Sequence, residues 1–378
     1  GADCMAHLLG RRNGLPICGR PASTVAVLTC LLVSGLSPAV SQGAEEQMKW
    51  RGVWEWSMDH RSEAGLVAIA DACHSLGFNV LMMAPPRNRI AFMAETCHAR
   101  GIRLYLSTVF SGGDPAWQQV MAADERERRD QPVPATHQHG GEPRDPGEVF
   151  ESPAPCWNRP EVRNFFRTRV QEWAKLPVDG LAFDYIGYAN YRRCYCPVCQ
   201  EKLRDFLLAH PNLPYERAAE IVAEDTLVSF TNEMAAAARE VRPELELTIH
   251  VYPYFRPNPF YGNRLELDTV GQTVSWFFRP HWPLEKVRRL TENLVAGQHD
   301  YVASATAAPF LGFYEKPPRD YRSSGRIAAE LAILRDSGAG ALQMAELGSL
   351  VRKPRVAEAV ARALGGDYHR TPVPGAQH

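Results

Sequence analysis

Val178-Asp179-Gly180-Leu181-Ala182-Phe183-Asp184-Tyr185 is a short apolar run with an aspartate near either end. A continuous apolar segment too short for a helix reads as a strand covered on both faces, as in a parallel sheet flanked by helices. Asp184 closes that strand, where a buried carboxylate without partners costs several kcal/mol. It reads either as an acid facing a pocket or as a cap that bonds its own loop. Asp179 precedes the strand, on the opposite side, and suits a stability role. Upstream, a helix starts at Asn158, with the start signals Pro160 and Glu161 in its first turn. Downstream, helical patterns cover 200–210 and 214–241, joined through Pro211 and Pro214.

Working outward, the same alternation fills the chain. Strands are predicted at 52–56, 79–83, 102–110, 180–185, 246–252, 273–278, 301–306 and 340–347. Helices are predicted at 62–76, 89–100, from 158, at 200–210, 214–241, 324–337 and 355–364. Eight such units predict an α/β fold, a single-domain (β/α)8 TIM barrel. A doubly wound open sheet would place a glycine-rich phosphate turn after its first strand. The turn here, Trp56-Ser57-Met58-Asp59-His60, has no glycine. In a barrel the C-terminal strand ends form the active-site face. Asp184 therefore belongs there, together with the long Gly-, Pro- and charge-rich connection 111–155.

The 378 residues carry 42 basic and 43 acidic side chains, a net charge of -1. That balance gives no field to attract nucleic acid or an anionic membrane surface. Eight Trp and 13 Tyr suit a partner with apolar and polar faces, such as a sugar. Arg11, Arg12 and Arg20 precede an apolar stretch at 23–36 that is too short to span a bilayer at about 20 residues. Pro38, the small triplet Ala39-Val40-Ser41 and Glu45-Glu46 follow, in the order of a secretory leader. Residues 1–44 are accordingly assigned to a leader, 45–366 to the barrel and 367–378 to a tail. The protein is expected to be secreted or periplasmic, with no membrane span.

Cys194-Tyr195-Cys196-Pro197-Val198-Cys199 packs three thiols into six residues. This spacing lets sulfurs reach one tetrahedral ion at about 2.3 Å. In a barrel Cys156 lies at the entry to the third helix, on the same face. Cys156, Cys194, Cys196 and Cys199 thus fit a structural zinc with no open position. The alternative is two disulfides in an oxidising compartment, although bridges between residues two or three apart are strained. Cys73 and Cys97 fall on helices one and two and read as core thiols or one disulfide.

Asp184-Tyr185, then Arg193-Cys194-Tyr195-Cys196-Pro197-Val198-Cys199-Gln200-Glu201-Lys202-Leu203-Arg204, resembles the strand-four region of the glycoside hydrolase family 42 β-galactosidases. In that family an acid at the end of strand four precedes a Cys-x-Cys-x-x-Cys zinc cluster, and the remaining ligand comes from just before helix three. Cys156-Trp157-Asn158-Arg159-Pro160-Glu161-Val162-Arg163 is similar to that stretch. The strand with its cysteine run resembles still more closely the hypothetical glycoside-hydrolase-like barrels related to that clan. The similarity covers residues 156–206. It implies a barrel, zinc, a carbohydrate substrate and a catalytic acid at Asp184. In two respects the chain departs from the family. Phe183-Asp184 stands where the family has Asn-Glu, and the family's nucleophile, a Glu ending strand seven, has no counterpart in 301–306.

The expectation is an exported glycoside hydrolase using Asp184. A catalytically degenerate, carbohydrate-binding barrel is the alternative. Glycosidases use two carboxylates about 5–9 Å apart. The second is sought first at Glu346, which ends strand eight, then at Asp59, then at Glu55. Glu55, Asp59, Trp54, Tyr185, His250, Tyr252 and Trp276, on or after strands one, four, five and six, are the expected substrate-binding residues. A metal-dependent amidohydrolase would carry His-x-His on strand one, where this chain has Val53-Trp54-Glu55-Trp56.

Overall fold

The computed structural model describes residues 48–110, 138–139, 142–143, 155–188, 193–194, 196–251, 261–277, 281–314 and 322–368. The leader assigned to 1–44 and most of the 111–155 connection lie outside the described residues. Eight parallel strands close into a barrel: β1 (Trp50–Trp54), β2 (Val80–Met83), β3 (Arg103–Val109), β4 (Gly180–Asp184), β5 (Glu246–Val251), β6 (Thr269–Ser275), β7 (Thr306–Gly312) and β8 (Ala341–Ala345). Each strand pairs with its neighbours in chain order, and β8 closes on β1 with Trp54 opposite Ala345. Helices α1 (Glu63–Ser75), α2 (Ile90–His98), α3 (Pro160–Ala174), α4 (Pro197–Ala209), α5 (Tyr215–Val241), α6 (Leu284–Ala296), α7 (Ser324–Asp336), α8 (Leu347–Val351) and α9 (Pro354–Leu364) connect or follow them. This is the predicted (β/α)8 barrel. Among the described residues no helix is long and apolar enough to cross a membrane.

Side chains fill the barrel in layers. At the N-terminal end, the Tyr105 hydroxyl donates to Glu246 and accepts from Trp50 Nε1 at 3.4 Å. A Cβ on Gly180 would run into the Tyr105 ring, so β4 has room for that ring only as glycine. In the middle, Gln343 reaches across from β8 to donate to Thr248 Oγ1 at 2.8 Å, and it accepts from Trp54 Nε1 at 3.3 Å. Gly271 leaves the space that the Gln343 amide occupies. Above them, His250 stacks on Phe310 at 3.5 Å and meets Thr273 Oγ1 at 2.8 Å. Strand alternation then fixes the faces. Gly180, Ala182 and Asp184 point inward, while Phe183 points outward onto the Phe110 ring, which in turn packs on Phe166 of α3. Asp179 accepts from the Leu104 amide at 2.7 Å and meets His98 at 2.8 Å, at the end of the barrel away from the mouth.

Two strands sit elsewhere than their residue pattern predicts. β6 occupies 269–275 rather than 273–278. A bulge at Thr273/Ser275 turns the Ser275 hydroxyl outward to Glu330 of α7 at 3.1 Å. Trp276 and Phe277 thus come after the strand. β7 occupies 306–312 rather than 301–306. Its Thr306-Ala307-Ala308-Pro309 start lacks the bulky residues that mark a strand, and Pro309 lacks an amide for the ladder. Burial on both faces offsets that weak local preference. In sequence, Glu315, outside the described residues, follows the end of β7 by three residues.

Candidate active site and cysteine cluster

Asp184 is the last residue of β4, on the inner face at the barrel mouth, and is about nine-tenths buried. Its Oδ1 accepts from the following amide, Tyr185 N, at 2.9 Å. Tyr185 adopts φ +62°, a left-handed conformation that is rare for a bulky residue and that clusters at functional sites. Burial, and then the charges of Asp184 and Tyr314, push the Tyr185 phenol up, so it stays protonated as a donor. The mouth carries an arc of aromatic rings. Trp56, 44% exposed, meets Tyr314 edge-on at 5.6 Å and Phe277 at 6.4 Å. Phe277 covers Gly312 and packs on Phe310 at 5.5 Å. Trp54, His250 and Trp276 are buried beneath, forming the floor rather than the rim. Burial drives His250 far below the usual imidazole range, so it is neutral. Tyr252 lies outside the described residues.

Glu55 and Glu346 come together, but not with Asp184. Trp54 faces inward, so Glu55, one residue further on, turns to the outer side of the wall, and Glu346 meets it there on the shared Gly348 amide. Glu55 Oε1 accepts from the Ser57 and Met58 amides at 2.5 and 2.6 Å, with His60 Nε2 at 3.4 Å. Glu346 caps α8. It accepts from Ser349 N at 2.9 Å, from Ser349 Oγ at 2.5 Å and from the Ser57 hydroxyl. Burial first, and then the Glu55 charge, push Glu346 up to about 7. Its side chain has no exposed surface. β8 also lies four strands from β4, on the opposite wall, about 15 Å away for strands spaced about 4.8 Å and tilted about 36°. Asp59 is a surface residue that accepts from Arg61 N at 2.9 Å and from Ser62 Oγ at the entry to α1.

The four sulfurs of Cys156, Cys194, Cys196 and Cys199 lie within 4.8 Å of one another, and none forms a disulfide. A tetrahedron with about 2.3 Å bonds needs sulfurs about 3.8 Å apart, so the donor set fits one ion. Cys156 precedes α3 and Cys196 caps α4, so two helix starts present the thiols. Asn158 Nδ2 donates to Cys199 Sγ at 3.2 Å, and Lys202 Nζ donates to Asn158 Oδ1 at 3.0 Å. Four protein donors leave no open position. Cys73 and Cys97 are buried free thiols in the core.

The residue pattern offered Phe277 as a pocket residue but missed Tyr314 at the mouth and Phe310 beneath it, because the predicted bounds of β7 were displaced. It also missed Ser57, Gly348 and Ser349, whose roles follow from a pairing of chain segments some 290 residues apart. Only Glu346-Leu347-Gly348-Ser349, an acid two and three residues before the amides it caps, carried a local signal.

No family model matches the chain, and no curated protein matches it. Solved structures do. The β-galactosidase of the psychrophilic Marinomonas ef1 superposes with TM-score 0.57 at 9% identity, over 84% of this chain and 59% of that one. The cold-adapted β-galactosidase of Rahnella sp. R3 gives 0.55 at 15%, over 85% and 56%. The PgaB (BpsB) glycoside hydrolase domain of Bordetella bronchiseptica gives 0.52 at 15%, over 83% and 98%. The chain spans less than two thirds of the length of either β-galactosidase, and nearly the whole of the PgaB domain. It is therefore similar in fold to the catalytic barrels of glycoside hydrolases, including a family 42 β-galactosidase.

Proposed function

We propose that the protein is an exported glycoside hydrolase in which Asp184 is the acid/base carboxylate. The observation that carries this reading is Asp184 itself, an inward-facing acid at the end of β4, at the barrel mouth that also carries the rings of Trp56, Phe277 and Tyr314. Such rings stack on sugar faces, and Trp54, Tyr185, His250, Tyr252 and Trp276 would shape the pocket around them. The fold likeness to hydrolase barrels supports the assignment. On the predicted span 301–306 strand seven ends without an acid, which favours a binding-only barrel, but β7 runs on to Gly312. With β7 ending at Gly312, Glu315, which lies outside the described residues, follows the strand by three residues in sequence and is the second carboxylate of this proposal. Tyr314 is near enough to Tyr185 for the two phenols to interact. In this proposal Glu315 takes the role first sought at Glu346, which is sealed in its own network with Glu55. Zinc in the cysteine cluster would cross-link the start of α3 to the start of α4. It would supply structure only.

The test is a panel of chromogenic glycosides and glycans with wild type and Asp184→Asn. Turnover should fall about a hundredfold or more, as on losing an acid/base group, with folding and metal content retained. Turnover near wild type would remove Asp184 from the mechanism. Binding without turnover by the wild type would make the barrel a carbohydrate-binding module.

A further inference from the structure

Glu55 and Glu346 leave neighbouring strands and are sealed from solvent. They share one donor. The Gly348 N–H lies 2.8 Å from Glu55 Oε2 and 2.9 Å from Glu346 Oε1. Two ionised carboxylates held this close in a low-dielectric enclosure repel strongly. Few groups face them to offset that repulsion. His60 of the β1–α1 turn is 3.4 Å from Glu55, and Arg352, beyond α8, is 3.5 Å from Glu346. Arg352 is also divided between Ser57 Oγ and Ser349 Oγ, both at 3.0 Å. Among the described residues, α1 brings the Cys73 thiol towards Glu55, and burial keeps that thiol neutral.

We propose that Glu55 and Glu346 carry one proton as a pair, and that this pair, joined through the Gly348 amide, positions Trp56 as a wall of the mouth. The pair accepts from the Ser57 and Met58 amides and the Ser57 hydroxyl, the groups that directly follow Trp56. It thereby fixes from beneath the turn that aims the indole at Phe277 and Tyr314. Gly348 belongs to the device, because a Cβ there would strike Ser57 Oγ and Glu346 Oε1. The upward displacement of Glu346 accords with a retained proton. Loss of that proton leaves two adjacent charges, which drive the turn off α8 and free Trp56. Glu55 and Glu346 are then positioning residues. The proposal rests on the hydrolase reading only for what Trp56 meets.

The test uses the full chain and no sugar. Infrared difference spectra at about pH 6, wild type minus Glu55→Gln and wild type minus Glu346→Gln, read the carbonyl stretch of a protonated carboxyl group. Trp56 emission is read as each protein minus its own Trp56→Phe partner, across neutrality. The wild type should show one protonated-carboxyl band that both glutamine variants lose. Its Trp56 emission should shift to the red as pH rises. Glu55→Gln should show no such shift, because a neutral amide then shares the Gly348 donor with Glu346 and no second charge appears as pH rises. A wild type without the band, or a band that survives in either variant, overturns the shared proton. A wild-type Trp56 signal with no step in pH overturns the positioning. If Glu346→Gln fails to fold, Glu55→Gln carries both readings. Failure here leaves the Asp184 test intact, and failure there leaves this one.

Discussion

Glu330→Gln should destabilise the protein by about 3–5 kcal/mol, the cost of breaking a buried ion pair. Glu330 lies on α7 with no exposed side-chain surface. It accepts from Arg322 Nη1 at 2.8 and 3.0 Å, Arg326 Nε at 2.7 Å and Ser275 Oγ at 3.1 Å. Arg322 is itself almost fully buried. Glutamine keeps the shape but removes the charge, and its amide then faces a guanidinium. Two arginines are left uncompensated, one of them in the core. Removing one partner from a buried ion pair costs about 3–5 kcal/mol. For a barrel of this length, at about 2.1 cal/mol/K per residue, that is about 5–7 °C in Tm. Arg322→Met leaves Glu330 still paired with Arg326, so it should cost less, about 1–3 kcal/mol. Urea unfolding of the three proteins, followed by circular dichroism, measures both differences. A cost below about 1 kcal/mol for Glu330→Gln would refute the reasoning. So would a larger cost for Arg322→Met. Because Ser275 carries the bulge that places Trp276 and Phe277, Glu330→Gln should also blur near-ultraviolet aromatic signals.

Other outcomes follow from the same geometry. Cys196→Ser should abolish stoichiometric zinc and lower thermal stability; metal analysis showing no zinc in the wild type would count against the metal site. Glu346 should make stability depend on pH. The unfolded chain ionises near 4.5 and the folded one at about 7. The stabilisation is therefore complete below about pH 4.5 and is lost as pH rises through about 7, a change of about 3 kcal/mol at about 1.4 kcal/mol per pH unit. Urea midpoints of the wild type should fall across that window relative to those of Glu346→Gln, and a relative rise would contradict the assignment. Gly348→Ala should cost about 2 kcal/mol or more by forcing Ser57 and Glu346 apart, whereas an unchanged melting temperature would show that the turn can yield.

The barrel was legible in the sequence because its signals are local and repeated. Apolar runs of strand length alternate with amphipathic helices, and Pro160 and Glu161 mark the start of α3. The Cys194–Cys199 spacing carries its chemistry within six residues. Asp184 was visible for the same reason, as a charge ending an apolar strand. What the sequence could not place depends on groups distant along the chain. β7 is held by neighbours on both sides, so Pro309 and two alanines form a strand against their own preference. The bulge that turns Ser275 outward is paired with Glu330 and Arg322, some 50 residues away, and it decides which aromatics reach the mouth. Glu55 and Glu346 each read as a candidate catalyst by position alone. Only the closure of β8 on β1, across 290 residues, put both on one amide and out of solvent. Strand alternation sets which face a residue takes, and closure of the sheet sets what it meets there.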